Sequence, residues 1–176
     1  MSELRFLSPD TARAANGFEP VMRSPLERAL AHAESAGLED LSLSTGKLEV
    51  RGNVGALDID AEVIRITPQR ALVLCDSSRV AEVREHLRRG ALVIDLTAAI
   101  AGLRLDRSDA ETVMRRVTDL DLDELPAVGA LSHVQAYAIR DGEHAFRLFF
   151  AQEYGHFVTE VVLDAIAGLE ATAGAR

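Results

Sequence analysis

Side chains able to act as acids, nucleophiles or metal ligands occur throughout the chain, and their spacing limits what they can do. The densest acidic run, Asp119-Leu120-Asp121-Leu122-Asp123-Glu124, offers the oxygen ligands that a hard divalent cation takes. A calcium loop also needs a glycine at its middle and a glutamate at its end, and neither falls in place. The alternating leucines indicate instead an acidic edge, packed on one side and solvated on the other. Of the histidines His32, His86, His133, His144 and His156, no two stand at ligand spacing on one helix, and no His-Glu-x-x-His occurs. No Gly-x-Ser-x-Gly elbow presents a serine nucleophile. Cys75, the single cysteine, ends the apolar run that begins at Ala71 and reads as core; alone it forms neither an internal disulfide nor a cysteine-based zinc site. No Gly-x-Gly-x-x-Gly turn is present to cradle a pyrophosphate. These residues lead to no expected catalytic group and no metal site.

Charge and composition narrow the partners. Asp and Glu number 28 against 19 Lys and Arg, a net charge of -9, which argues against a phosphate-binding surface and so against nucleic acid. Basic residues do gather at Arg84, Arg88 and Arg89 and at Arg115 and Arg116, where solvated helix faces or partner contacts account for them. No apolar stretch approaches the roughly 18 residues of a membrane span. Met1 to Phe6 has no signal-type apolar core, so a cytoplasmic location is expected. The chain, at 176 residues with 48% hydrophobic content, suits one ordinary domain or two small packed halves.

The elements that would position any site follow from hydrophobic period and turn chemistry. Residues 1–22 lack periodicity and read as an arm. Ser24-Pro25-Leu26-Glu27 forms a capping box opening a helix to about Ala36, stopped by Gly37. Leu41, Leu43, Leu48 and Val50 suggest two strands around a Thr45-Gly46 turn. Val63 to Ile66 and Ala71 to Leu74 suggest two more around Pro68-Gln69. Asp76 to Ser78 cap a helix through Val80, Val83 and Leu87, ending near Gly90. A strand at Leu92 to Ile94 leads through Asp95-Leu96-Thr97 to another at Leu103 and Leu105. Ser108 is expected to cap a helix carrying Ala110, Val113, Met114 and Val117. A loop passes Pro126 and Gly129. A hairpin turns at Asp141-Gly142 between Val134–Ile139 and Ala145–Phe150, and a helix from about Glu153 closes the chain. The segments from Arg65 and from Ala138 share one order: strand, turn, strand, cap, helix. The reading is α+β, with pseudo-repeated halves at 23–90 and 91–176 forming one unit. Each would be a mostly antiparallel sheet with helices on one face.

Several segments resemble the gamma subunit of heterotetrameric sarcosine oxidase, within the glycine-cleavage T-protein-like group. They are Ser24-Pro25-Leu26, KLEVRGNV from Lys47, ITPQRALVL from Ile66, VIDLTAAIAGLRLDRSDAETVMRRVTDLDL from Val93 and FRLFFAQEYGHFVTEVVLDAI from Phe146. Thr97 stands where that pattern has serine, and Ser108-Asp109 where it has a glycine-led turn. The resemblance implies a small non-catalytic subunit of a flavoenzyme that oxidatively demethylates sarcosine or a related N-methyl amine. Its partners would be larger flavoprotein subunits carrying FAD, FMN, NAD and tetrahydrofolate, with no cofactor bound by this chain alone. It also makes Asp95 the one candidate beside a folate; the plainer alternative is that Asp95 bonds backbone amides at a strand end. Other readings are a stand-alone folate-binding one-carbon-transfer protein using Asp95, and a free-standing ligand-binding or regulatory module. Phe146, Phe149, Phe150, Tyr154 and Phe157 are the one aromatic concentration. Because strand neighbours point to opposite sides, one of Phe149 and Phe150 is expected in the core and the other on a partner interface.

Overall fold

The computed structural model describes residues 23–31, 33 and 36–174; the arm expected at 1–22 lies outside them, as does His32. Alternating segments, the continuous apolar run Ala71–Cys75 and the small-residue segment at Gly129 form strands: β1 (Leu38–Asp40), β2 (Thr45–Arg51), β3 (Glu62–Thr67), β4 (Arg70–Asp76), β5 (Leu92–Asp95), β6 (Ile100–Asp106), β7 (Ala127–Leu131), β8 (Val134–Arg140) and β9 (Ala145–Ala151). Apolar residues at helical spacing give α1 (Glu27–Leu30), α2 (Val80–Leu87), α3 (Ala110–Val117) and α4 (Gly155–Gly174). One antiparallel sheet runs β1-β6-β9-β8-β7 and the other β3-β4-β2-β5.

Each sheet buries one face under helices. On the five-stranded sheet, Leu103, Leu105, Phe146, Leu148 and Phe150 meet Met114 of α3 and Val158, Val162 and Ile166 of α4. On the four-stranded sheet, Leu48, Val50, Val73 and Val93 meet Val83 and Leu87 of α2. The remaining faces pack on each other through Ile64, Leu72 and Leu74 from one sheet and Ile139 and Phe149 from the other. The order is therefore helices, sheet, sheet, helix, the α+β class read from the sequence.

The halves do not keep to their own sheets. β1 pairs with β6, and β5 pairs with β2. Each half thus lends its first strand to the sheet of the other, and the loops 41–44 and 96–99 cross between the sheets.

Local departures from the sequence reading have physical causes. Thr45-Gly46 is not a turn but the start of β2. A Cβ on Gly46 would stand 2.2 Å from Val80 Cγ2 and 2.9 Å from Cys75 Sγ, so the glycine is there to let α2 approach. The segment read as a loop through Gly129 is the edge strand β7, whose small residues gave no period; a Cβ on Gly129 would meet Leu120 at 2.5 Å. Ser24 Oγ accepts from Leu26 N–H at 3.0 Å, and among the described residues regular helix covers Glu27–Leu30. Asp109, not Ser108, stands at the N-cap of α3, and Arg107 rather than the helix amides holds its carboxylate.

Candidate functional site

The strand exchange places two matching turns at the junction of the sheets. Asp95 Oδ1 accepts from Thr97 N–H at 3.0 Å, and Thr97 Oγ1 accepts from Lys47 N–H at 3.1 Å. In the other crossing loop, Asp40 Oδ1 accepts from Ser42 N–H at 2.8 Å, and Ser42 Oγ accepts from Gly102 N–H at 3.1 Å. Asp40-Leu41-Ser42 and Asp95-Leu96-Thr97 are therefore one device used twice, each closing a crossover and tying it to the neighbouring strand of the sheet it leaves. The second oxygen of Asp95 faces Arg84 at 3.4 Å. Asp95 also lines a 590 Å³ cleft with Ser42, Ser77, Thr97 and Gln152. A turn-closing carboxylate contributes on the order of 1 kcal/mol. Asp95→Ala and Asp40→Ala should each lower stability by about that amount, by equal steps in thermal melts. An Asp95→Ala variant as stable as the parent would separate Asp95 from its twin and from this role.

Between the two turns lies Lys47, which is fully buried. Its Nζ donates to Ser42 O at 2.7 Å, Thr97 O at 3.2 Å and Ile100 O at 3.2 Å, so its three N–H bonds are spent on the two crossing loops and the start of β6. Burial pulls the ammonium down to about 8, against the opposing pull of Asp40 and Asp95. Alternation along β2 puts Lys47 and Glu49 opposite Leu48 and Val50, on a face that no local signal marks as covered. The four-stranded sheet turns that face to the other sheet, and the polar side chains go in with it.

Glu49, also buried, centres the second polar group. Its Oε1 accepts from Arg51 Nε at 2.6 Å, and its Oε2 from Arg70 Nη2 at 2.6 Å and from the Tyr137 hydroxyl at 3.4 Å. Arg70 Nη2 also donates to Tyr137 Oη at 2.9 Å. Burial pushes the Glu49 carboxyl up, but the hydrogen bonds from Arg70 and Arg51 outweigh it and hold the group below its ordinary value. Burial raises the Tyr137 phenol. This cluster forms part of the wall of an open groove of 730 Å³, bounded further by Ile100, Val134, Phe150, Tyr154 and Phe157. The sequence reading picked out none of Lys47, Glu49, Arg70 or Tyr137 as site residues. The repeated Asp-Leu-Ser/Thr was the available signal for the junction.

The expected division between Phe149 and Phe150 does not hold. Both are buried, Phe149 between the sheets and Phe150 under the helices. Neighbours on β9 do point to opposite sides, but sheet-on-sheet packing covers the side that was expected to be free. Among the described residues, the large apolar side chains left exposed are Leu43, Leu92, Tyr154 and Phe157. Among the described residues, no three His, Cys, Asp or Glu side chains converge as metal ligands, and no helix is long and apolar enough to cross a membrane.

Fold and junction together define a two-sheet α+β protein with exchanged strands and a buried polar seam. No protein-family model and no curated protein matches the chain. Among solved structures, a chain of the heterotetrameric sarcosine oxidase from Corynebacterium sp. U-96, in complex with pyrrole 2-carboxylate, matches with a TM-score of 0.72 at 18% identity. The match covers 85% of this chain and 96% of that one. A chain of the aspartokinase alpha and beta subunits matches at a TM-score of 0.46, 16% identity, 74% of this chain and 97% of that one. The ligand-free regulatory subunit of aspartate kinase from Thermus thermophilus gives 0.49, 13%, 73% and 95%. The last two are too distant to define the fold. The chain shares its fold with the sarcosine oxidase chain.

Proposed function

We propose that this chain is the small, non-catalytic companion subunit of a heterotetrameric sarcosine-oxidase-like flavoenzyme, one that oxidatively demethylates sarcosine or a related N-methyl amine. On this reading FAD, FMN, NAD and tetrahydrofolate reside on the larger flavoprotein subunits. The observation that carries it is the likeness of fold, which spans 96% of a chain drawn from a heterotetrameric enzyme of that kind. The strand-to-helix junctions agree with such a role. A dinucleotide pyrophosphate needs bare backbone amides at a glycine-rich turn leading into a helix. The junctions after β4 and β9 are instead built from Ser77-Ser78-Arg79 and Gln152-Glu153-Tyr154. The Asp95 carboxylate, bonded in a turn that Asp40 duplicates, fits a structural part better than a folate contact.

The test is co-expression with the large flavoprotein chains that neighbouring genes are expected to encode, followed by size-exclusion chromatography. The chain should co-elute with them in a flavin-coloured complex that oxidises N-methyl amines, and should be colourless when purified by itself. Elution apart from those chains, or a stoichiometric flavin absorbance in the chain alone, would overturn the reading.

A further inference from the structure

The polar wall of the groove has a specific imbalance. Both oxygens of Glu49 are taken, Oε1 by Arg51 and Oε2 by Arg70 and Tyr137, and the Tyr137 hydroxyl accepts from Arg70 while facing Glu49. The acceptors of this cluster are therefore spent. The donors are not. Arg70 uses only Nη2; its Nε is buried without an acceptor, and Nη1 has no partner among the described residues. Two guanidinium groups share one carboxylate, which leaves the cluster an excess of one positive charge in a chain whose net charge is -9. Among the described residues, no second carboxylate lines the groove.

The rest of the wall is mostly apolar, with Ile100, Val134, Phe150, Tyr154 and Phe157, the last two 46% and 48% exposed, and carries the uncharged polar side chains of Ser132 and Gln135 together with His133 at one end. A volume of 730 Å³ lies within the roughly 300–1,000 Å³ of small-molecule sites, which combine apolar walls with a few convergent polar groups. Backbone strain adds a further sign at the mouth. The two-residue turn joining β7 to β8 consists of Ser132 and His133, with φ of 47° and 74°, where a hairpin of this length ordinarily uses glycine or asparagine. That conformation, costly for these residue types, brings exposed His133 to the groove.

We infer that this groove binds a small organic acid, a monocarboxylate on an aromatic or branched apolar body, with its carboxylate on the Arg70 guanidinium and its body against Phe150, Tyr154 and Phe157. An acceptor is what the cluster lacks, and a charged one answers both the Nη1 donors of Arg70 and the excess charge. A cation would find no free carboxylate there among the described residues, since Glu49 is held by two guanidinium groups. The inference does not depend on assembly with other subunits, and it is tested on the chain alone.

The chain supplies its own reporter. It has no Trp and two Tyr, and both Tyr137 and Tyr154 line the groove, so all tyrosine emission comes from this site. Titration of the full chain with 3-phenylpropanoate should give a saturable change in tyrosine fluorescence, half-complete below ~1 mM. The uncharged 3-phenylpropan-1-ol, with the same body, should bind at least ~10-fold more weakly. Arg70→Met should weaken the acid ~10-fold or more; if that variant does not fold, Arg70→Lys, which keeps the charge and loses the planar fork, should also weaken it. Phe157→Ala, at an exposed position safe for the fold, should weaken acid and alcohol alike. Leu92→Ala, outside the groove, should change neither. No saturable response to the acid at ~10 mM, equal binding of acid and alcohol, or an unaltered titration in Phe157→Ala would each overturn the assignment.

Discussion

Replacing Lys47 with methionine should cost the protein about 3–5 kcal/mol, although the new side chain is of similar length and better suited to burial. The reason is what the lysine leaves behind. Ser42 O, Thr97 O and Ile100 O, from the two crossing loops and the start of β6, all lose their donor at the point where the loops pass between the sheets. Buried carbonyls without partners carry most of the loss. The pH dependence identifies the cause. Burial sets the folded-state value at about 8, against 10.5 for a free lysine. Between these values the unfolded chain holds a proton that the folded chain has released, so this group makes stability rise with pH. The unfavourable ionisation is fully present below pH 8 and is relieved as pH climbs to 10.5, a gain of about 3 kcal/mol for the parent relative to Lys47→Met. Denaturant melts of both proteins across that range cancel the titration of Cys75 and Tyr137, whose pKa values burial raises and which act in the opposite sense. A gap independent of pH, or a variant as stable as the parent, would refute this account of the lysine.

Phe149→Ala and Phe150→Ala should both destabilise the fold, each by about 3–5 kcal/mol, the range for emptying a large aromatic site in a core. The two cavities would lie in different layers. Phe149 fills the space between the sheets, its ring against Gly102, where a Cβ would stand 2.8 Å from Phe149 Cε1. Phe150 packs on the helical side with Leu103 and Val158. Thermal or urea melts of the two variants decide the point. If either change cost less than ~1 kcal/mol, one face of β9 would have to be free of packing, contrary to this architecture. Gly102→Ala gives an independent check on the inter-sheet layer, since the added methyl must displace the Phe149 ring or Leu41.

Local signals carried the hairpins and most of the helices. β3 and the apolar run of β4 lie on either side of Pro68-Gln69, and β8 and β9 turn at Asp141-Gly142, where Gly142 takes a φ of 158°. The Asp76 cap is formed as read, accepting from Ser78 N–H at 2.8 Å. What escaped was non-local. Nothing in Leu38–Asp40 or Leu92–Asp95 announces that each strand joins the sheet built by the other half. Without that exchange, Lys47 and Glu49 look like ordinary solvent-side residues of an alternating strand. Nor does any single segment announce the groove, whose wall is gathered from β2, β4, β6, β8, β9 and the opening of α4. Tyr137 and Arg70 stand far apart in sequence and meet only because two sheets stack.

The exchange of β1 and β5 also bears on how such a chain can be divided or inherited. A cut near Gly90 would separate the sequence repeats but not the sheets. The upstream fragment would keep β2 without its neighbour β5, and the downstream fragment would keep β6 without β1. Each piece would display an unpaired strand edge able to recruit the missing strand from another molecule. The repeats are thus halves of a clasp rather than interchangeable modules. A gene rearrangement that moved either one alone would transfer an open sheet, prone to pair with its own copies, while a duplication of the whole would transfer a closed fold.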